Sequence, residues 1–449
     1  ISEDCLTINV LRPSGISCDA KLPVMFWTYG GGFDGGASSV YNGSAIVSQS
    51  VARGTPVIYV NFNYRVGPLG FPQGQEADNR GALNLGLKDQ IAALQWVQMN
   101  IEIFGGDKDK VTVFGESAGA IMTAILFLNS PLPKLARAAI MESGSQASAP
   151  LFTPERREID WQNFVSAVPS CASTATSGST FGCLRKANTT DIFAGLVAAM
   201  VDADELFPWD PVIDGPGGLI PDLPSVLFAR GHFARLPFMA GTNQDEGTFF
   251  VPPTIDSTEE VDEQLTALFV PSVSPTILDA SLDTLLNLYP DVPALGSPFN
   301  TGNETFGLSS QFKRASAIVT DVNFLSQRRF WMQTAAKAGI PTYGYLFTQP
   351  QPTLPPIFGV AHGTEVAYVY GSPDDVSASS LLISHIMTDY WLSFATSLTP
   401  NDGLGTQRVE WNQFTPNNEA VIQLNGANLT MISDDFRGEQ TAFFNSNPV

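Results

Sequence analysis

The stretch Val-Thr-Val-Phe-Gly-Glu-Ser-Ala-Gly-Ala-Ile-Met-Thr-Ala-Ile-Leu-Phe-Leu, residues 111–128, decides the fold of this chain. Its first four residues are largely β-formers, and from Ala120 onward the composition changes to Ala, Ile, Met and Leu. Asn-Ser-Pro follows at 129–131 and is expected to end the helix. The stretch therefore predicts a strand, a sharp turn at 115–119 and a helix.

The turn has the pattern Gly-x-Ser-x-Gly, with Gly115, Ser117 and Gly119 at the fixed positions. Because glycine has no Cβ, the strand and the helix can meet at this corner without collision. The corner projects the Ser117 hydroxyl clear of the sheet, and the first turn of the helix directs N–H groups toward it. The pattern predicts a nucleophile. A chance match of common residues is the alternative, which the flanking strand and helix disfavour.

The composition predicts a folded, turn-rich protein: 449 residues are 44% hydrophobic and 15% charged, with 39 Gly and 32 Pro. The formal charge of −21 argues against nucleic acid and anionic lipid as partners. No run approaches the ~18 apolar residues of a membrane helix. Because the motifs extend from Gly30 to His362, we predict a single catalytic domain, 1–449, with insertions at about 150–220 and 255–330.

Buried strands alternate with helices along the chain. This alternation predicts an α/β protein with a mostly parallel sheet covered on both faces. The segment 150–220 is Pro- and Ser-rich and is predicted to be irregular, whereas 257–329 has a helical pattern typical of a cap. Strands are predicted at 22–27, 56–61, 111–114, 138–141, 236–241, 342–347 and 420–424, and long helices at 87–101 and 379–397.

A glycine-rich loop, Tyr-Gly-Gly-Gly-Phe-Asp-Gly-Gly at 29–36, follows the strand 22–27. Such a loop lets main-chain N–H groups approach a ligand closely, as an oxyanion hole requires. A phosphate cradle is the alternative, but no Gly-Lys-Ser/Thr follows. The loop is therefore predicted to supply oxyanion donors.

A serine nucleophile needs a base, usually a histidine oriented by a carboxylate. Of the three histidines, His232 and His385 are predicted to be structural or solvated, whereas His362 lies on a glycine-flanked loop after a strand. The order serine, acid, histidine places the acid between Ser117 and His362. Asp245 and Glu246, which follow a predicted strand, are both candidates, and the pattern alone does not separate them.

Cysteines and sequons favour an extracellular glycoprotein. A disulfide between Cys171 and Cys183 would close a short loop and stabilise the fold by roughly 3 kcal/mol. Asn-x-Ser/Thr sequons, each a candidate glycosylation site, occur at Asn42, Asn188, Asn303 and Asn428. We therefore expect secretion.

Six motifs together resemble the type B carboxylesterase/lipase family, which includes cholinesterases and fungal cholesterol-esterase-type lipases. The similarity covers nearly the whole chain, and the motifs occur in the family's order. They are Ser-Glu-Asp-Cys-Leu at 2–6, Gly-Gly-Gly-Phe at 30–33, Phe-Asn-Tyr-Arg-Val-Gly at 62–67, Gly-Glu-Ser-Ala-Gly at 115–119, Asp-Glu-Gly at 245–247 and Gly-Val-Ala-His-Gly at 359–363.

The resemblance implies an α/β-hydrolase fold and a serine hydrolase of carboxylic esters that needs no cofactor or metal. By analogy, Ser117 is the nucleophile, His362 the general base and Glu246 the acid. The same analogy assigns the oxyanion hole to the amides of Gly31, Gly32 and Ala118, supporting polar roles to Glu116 and Ser143, and a buried ion pair to Arg65 and Asp89.

Relatives carry a further segment ahead of the motif at 2–6, with early strands, the lid loop of the lipases and the usual partner of Cys5. The chain is expected to lack that segment. Cys5 is then expected to pair with Cys18 or a missing cysteine, or to be free. Without the lid, the sequence does not distinguish a lipase from a simple esterase, and it leaves the natural substrate and the oligomeric state open.

Aromatic residues near the expected site suggest an apolar substrate pocket, although each could simply be part of the core. The substrate is expected to be a small-molecule or lipid ester, and a lipid interface is a further candidate partner. A non-catalytic adhesion module and an amide or thioester hydrolase are the alternatives, although adhesion modules usually lose the serine. The aromatic candidates are Phe207, Trp209, Phe249, Phe250 and Phe358.

Overall fold

The computed structural model describes residues 4–128, 131–201, 208–269 and 275–446. In these ranges the strands form one nine-stranded sheet in the order β1-β3-β2-β4-β5-β6-β7-β8-β9. Neighbouring strands are parallel except for β1 with β3 and β8 with β9. The strands are β1 (Ile8–Leu11), β2 (Leu22–Thr28), β3 (Ile58–Phe62), β4 (Gly106–Glu116), β5 (Ala138–Glu142), β6 (Phe238–Asn243), β7 (Thr342–Phe347), β8 (Ala420–Leu424) and β9 (Thr430–Ser433).

Both faces of the sheet are covered. Every residue of β3, β5 and β6 is buried, and successive side chains of a strand point to opposite faces. The mostly parallel, doubly covered sheet predicted from the sequence is therefore confirmed.

Helices fill the connections between the strands. They are α1 (Ser44–Ala52), α2 (Gly67–Gly70), α3 (Gly74–Asn79), α4 (Leu85–Asn100), α5 (Ala118–Leu126), α6 (Glu158–Ala167), α7 (Phe181–Leu184), α8 (Thr189–Val201), α9 (Pro224–Ala229), α10 (Thr258–Phe269), α11 (Pro275–Leu288), α12 (Ser310–Val319), α13 (Ser326–Lys337), α14 (Val366–Val369), α15 (Ala378–Ser397) and α16 (Gly438–Ser446), with a π-helical turn, Thr320–Leu325, joining α12 to α13. No helix of the described ranges is both long and apolar enough to cross a bilayer.

The segment 150–220 was predicted to be irregular, but its described residues, 150–201 and 208–220, contain the α-helices α6, α7 and α8, so that prediction was wrong. The helices depend on tertiary packing, because α6 buries Trp161 against Phe181 of α7 and Phe164 against Trp209, and no local signal replaces those contacts. The short elements β1, β9 and α16 were not predicted. Most of their side chains are partly buried or exposed, which leaves a weak apolar pattern.

Apolar side chains form two main clusters in the described ranges. The larger surrounds the sheet, and the smaller joins α10, α11 and α12 to α16. The smaller cluster gives the predicted helical cap at 257–329 its own core.

Candidate active site

The turn between β4 and α5 places Ser117 at the carboxyl edge of the sheet. Ser117 has φ 54° and ψ −129°, a backbone conformation that costs a non-glycine residue energy. A Cβ on Gly119 would lie 2.1 Å from the Thr28 carbonyl oxygen, and a Cβ on Gly115 would lie 2.5 Å from the same atom. The corner can therefore form only with glycine at both positions.

The glycine-rich loop lies against this corner. A Cβ on Gly30 would approach the Ser117 Cβ to 2.7 Å, and Gly31 and Gly32 have φ of 110° and 61°. Among the described residues, no acceptor receives a hydrogen bond from the amide of Gly31 or Gly32. Ala118 begins α5, where the first N–H groups of a helix have no partner within it. The glycine-rich loop and the first turn of α5 therefore provide free amides at the corner that carries Ser117.

Glu246, and not Asp245, is the carboxylate that contacts His362. His362 Nδ1 lies 2.6 Å from Glu246 Oε2, and the Glu246 side chain is fully buried. Asp245 instead accepts hydrogen bonds from Ser297 Oγ and from the amides of Phe299 and Val360. Asp245 therefore ties three loop segments together, whereas Glu246 is free to orient the imidazole.

The second imidazole nitrogen faces Glu116. His362 Nε2 lies 3.2 Å from Glu116 Oε1, but neither atom forms a hydrogen bond of normal geometry in the described part of the chain. The Ser117 hydroxyl likewise has no hydrogen-bond partner among these residues. The hydrogen bond expected between Ser117 and His362 is therefore not formed in this structure.

Aromatic rings enclose the imidazole. The centroids of the Phe250 and Phe324 rings lie 5.0 and 4.8 Å from that of His362, and the two phenyl rings stack on each other at 5.7 Å. These rings remove water from the His362–Glu246 pair, which strengthens the electrostatic interaction between them.

A second layer of polar groups supports Glu246. Ser143 Oγ donates to Glu246 Oε1 at 2.6 Å, and the backbone amide of Asn243 donates to the same oxygen at 2.6 Å. The Asn243 side chain donates to Glu365 Oε2 at 2.5 Å. Sequence reasoning missed Asn243 and Glu365. The only available signal for Glu365 was its place three residues after His362.

Buried charges shift the protonation of the site. Burial lowers the pKa of His362, but the charges of Glu116 and Glu246 and the hydrogen bond to Glu246 outweigh it and raise the pKa to about 9. Burial raises the pKa of Glu116 above its ordinary value, opposed by His362 and reinforced by Glu246. The site therefore retains protons that an exposed site would release.

The aromatic candidates separate in the structure. Phe249, which is 63% exposed, and Phe358 line a cavity of about 280 Å³ together with His362. Phe250 packs on the imidazole instead. Trp209 had been expected to line the substrate pocket. It is instead fully buried in the core, with its ring centroid 5.8 Å from that of Phe164. Phe207 lies outside the described residues.

The remaining candidates occupy surface or structural positions. Cys171 and Cys183 form a disulfide, whereas Cys5 and Cys18 are free. Arg65 Nη2 lies 2.7 Å from Asp89 Oδ1, although the Arg65 side chain remains 33% exposed, so the pair is not fully buried. The side chains of His232 and His385 and of the sequon residues Asn42, Asn188, Asn303 and Asn428 are all exposed.

Comparison with known proteins assigns the chain to a family. The profile of the carboxylesterase family matches residues 1–444. The chain belongs to the carboxylesterase family. The family match and the similar lipases described below show that this chain is a carboxylic ester hydrolase.

Fungal lipases are among the similar members of the carboxylesterase family. Lipase 2 of Geotrichum candidum is 34% identical over 460 residues, covering 100% of this chain and 78% of the relative. The secreted lipase 1 of Botryotinia fuckeliana is 35% identical, covering 99% and 76%. The crystal structure of Aspergillus niger EstA superposes with a TM-score of 0.84 at 27% identity, covering 99% of this chain and 84% of that one. The fold is the α/β-hydrolase fold.

Proposed function

We propose that this carboxylesterase-family chain hydrolyses esters through a Ser117–His362–Glu246 triad and an acyl-enzyme. The contact of 2.6 Å between His362 Nδ1 and Glu246 carries the proposal, because it leaves Nε2 as the nitrogen that can accept the serine proton. The backbone strain at Ser117 supports it, since strained residues concentrate at active sites.

In the proposed reaction, Ser117 Oγ attacks the ester carbonyl carbon while His362 Nε2 accepts the hydroxyl proton. Nε2 must first turn from Glu116 toward Ser117. The amides of Gly31, Gly32 and Ala118 bind the negatively charged oxygen of the tetrahedral intermediate. His362 then protonates the departing alcohol. A water molecule then attacks the acyl carbon while His362 accepts its proton. The bond to Ser117 Oγ breaks, Ser117 regains a proton from His362, and the carboxylic acid leaves. Glu246 and Glu116 stabilise the transient imidazolium.

A fluorophosphonate probe tests the triad. We expect one covalent adduct, located at Ser117 by peptide mass spectrometry, and at least ~10³-fold lower esterase activity in Ser117→Ala. Ser48→Ala, which removes an exposed hydroxyl from α1, is the matched control and should keep full labelling. Folded protein that is not labelled, or an active Ser117→Ala, would contradict the proposal.

We further infer that the substrate is an ester of an apolar acid presented at a lipid surface. Helix α8 exposes Phe193, Val197, Met200 and Val201 on one face, with exposed fractions between 42% and 78%. We call this exposed apolar face the α8 face. A Cβ on Gly67 would lie 3.0 Å from Leu196 of the same helix, and the Gly67 amide donates to the Phe33 carbonyl of the glycine-rich loop, so α8 is linked through Gly67 to the loop of the proposed oxyanion hole.

A series of p-nitrophenyl esters and a triacylglycerol emulsion test the substrate class. We expect kcat/KM to rise with acyl length and the emulsion to be hydrolysed. Preference for the shortest ester, or no activity on the emulsion, would favour a simple esterase. Faster turnover of amides or thioesters would favour another acyl transfer. The adhesion alternative is not favoured, because the family match includes the serine and the His–Glu pair.

We propose that the protein is extracellular and glycosylated. Similar lipases of Botryotinia fuckeliana and Gibberella zeae are named as secreted proteins. The disulfide and the exposure of the sequon asparagines support the same location. Intact mass analysis of the native protein before and after glycosidase treatment tests it, and an unmodified cytosolic protein would contradict it.

A further inference from the structure

The carboxyl group of Glu365 lies behind the proposed triad, fully buried. Its Oε2 accepts a hydrogen bond from Asn243 Nδ2 at 2.5 Å, and its Oε1 lies 3.4 Å from Ser143 Oγ. In the described ranges no Lys, Arg or His nitrogen comes within 4.0 Å of Glu365, so its direct partners are an amide and a hydroxyl. A buried carboxylate with no cation to pair with would be costly.

Both partners of Glu365 also hold Glu246. Ser143 Oγ and the Asn243 amide lie 2.6 Å from Glu246 Oε1, while Glu246 Oε2 contacts His362. The Asn243 side chain donates in addition to the Ala361 carbonyl, at 2.8 Å, one residue before His362. Glu365 thus contacts both Ser143 and Asn243, the two residues that hold the Glu246 carboxylate. Through the Asn243 side chain it is also linked to the loop that carries His362.

The proton count at Ser143 indicates the protonation state of Glu365. A serine hydroxyl has one proton, and the short contact to the Glu246 carboxylate uses it. The contact of 3.4 Å between Ser143 Oγ and Glu365 Oε1 is long for two oxygens, and with the serine proton already used it is a hydrogen bond only if Glu365 supplies the proton. With a protonated Glu365, the donors would run from Glu365 to Ser143 to Glu246.

The surrounding charges favour the same state. Five other titratable side chains face Glu365, and only His362 among them can carry a positive charge. The other four are Glu116, Glu142, Glu246 and Tyr345. Burial and the charges of Glu116 and Glu246 raise the pKa of Glu365, against the opposing effects of Asn243 and His362.

We propose that Glu365 is a positioning residue that acts as a neutral carboxylic acid, holding Ser143 and Asn243 on Glu246 and so fixing Glu246 against His362 without adding a charge. The proposal rests on the proposed triad. It predicts that an uncharged isostere replaces Glu365, because a glutamine side chain accepts from Asn243 and donates to Ser143 in the same way.

The test compares Glu365→Gln with Glu365→Leu, using a soluble p-nitrophenyl ester and active sites counted with a fluorophosphonate. Glu365→Gln should keep kcat/KM within about threefold and the midpoint of the acid limb of its pH profile within about 0.3 unit. Glu365→Leu should lower kcat by about 30-fold with KM little changed, because Glu246 loses its orientation. Glu76→Gln is the control, because it removes another buried carboxyl group, which accepts a hydrogen bond from Thr180. It should change neither kcat/KM nor the acid limb of the pH profile.

The outcomes are distinguishable. A Glu365→Gln variant as slow as Glu365→Leu, or with an acid limb moved more than about 0.5 unit lower, would show that Glu365 acts as an anion and overturn the proposal. Full activity of Glu365→Leu would overturn it as well. If Glu365→Leu does not fold, the pH profile of Glu365→Gln decides alone. Wild-type protein without labelling or activity would refute the triad instead.

Discussion

At the scale of single residues, the charge on Glu116 sets the proton affinity of His362. The two side chains approach to 3.2 Å, and the negative charge of Glu116 is the largest influence that raises the pKa of the imidazole. Because His362 must be neutral to act as a base, Glu116→Gln should lower that pKa and move the acid limb of kcat/KM to lower pH by about 1 unit.

The pH dependence of kcat/KM for a soluble ester measures this shift. Glu410→Gln, which removes the same charge from an exposed position, is the control and should leave the acid limb in place. An acid limb that stays in place or moves to higher pH in Glu116→Gln would mean that Glu116 carries no charge in the free enzyme.

At the scale of elements, the crossing of α5 and β2 depends on the absence of a side chain at Gly119. A methyl group there would collide with the Thr28 carbonyl of β2. Gly119→Ala should therefore lower the stability by about 3 kcal/mol or more, as overpacking against backbone does. Chemical denaturation measures the loss. Gly182→Ala in α7, where a Cβ meets no atom within 4 Å, is the control, and an equal effect of both changes would contradict the steric explanation.

The α8 face makes a second prediction at this scale. A charge there opposes contact with a lipid surface but leaves the fold intact, because Val197 is 45% exposed. Val197→Glu should lower activity on a triacylglycerol emulsion about tenfold or more and leave activity on a soluble ester unchanged. Met99→Glu, at an exposed position of α4, is the control. Equal loss on both substrates would contradict a docking role.

At the scale of the whole molecule, buried carboxyl groups make stability depend on pH. Burial raises the pKa of Asp34 to about 7 and the pKa of Glu142 well above its ordinary value. In the unfolded chain such groups titrate near pH 4. Between about pH 5 and 8 the folded chain therefore binds more protons than the unfolded chain, and stability falls as pH rises. His362 acts in the same direction between 6.5 and about 9.

The midpoint of thermal unfolding should accordingly drop by several degrees between about pH 5.5 and 8.5. Circular dichroism at constant ionic strength measures it. Asp34→Asn should make the unfolding midpoint depend less on pH, because the asparagine side chain does not titrate. A midpoint that rises with pH over this interval would contradict the assignment of the buried groups. Below about pH 4 the sign reverses, because the two arginines that contact Asp434 lower the pKa of that carboxyl despite its burial.

The sequence by itself determined the features that are set by neighbours along the chain. The elbow at Ser117 follows from glycines two residues to either side, and the parallel sheet follows from apolar strands alternating with helical patterns. Backbone conformation and apolar periodicity are local, so a short window contains them.

The tertiary structure decided the features that depend on distant contacts. Asp245 and Glu246 are adjacent and chemically alike; the family resemblance favoured Glu246, but only the fold shows that Asp245 contacts Ser297 whereas Glu246 contacts His362. Glu365 and Asn243 were recognised as part of the site only from the hydrogen bond that joins them across 122 residues of sequence. Side-chain direction and burial depend on neighbours that no local pattern records. For the same reason, the sequence could not predict that His362 Nε2 faces Glu116.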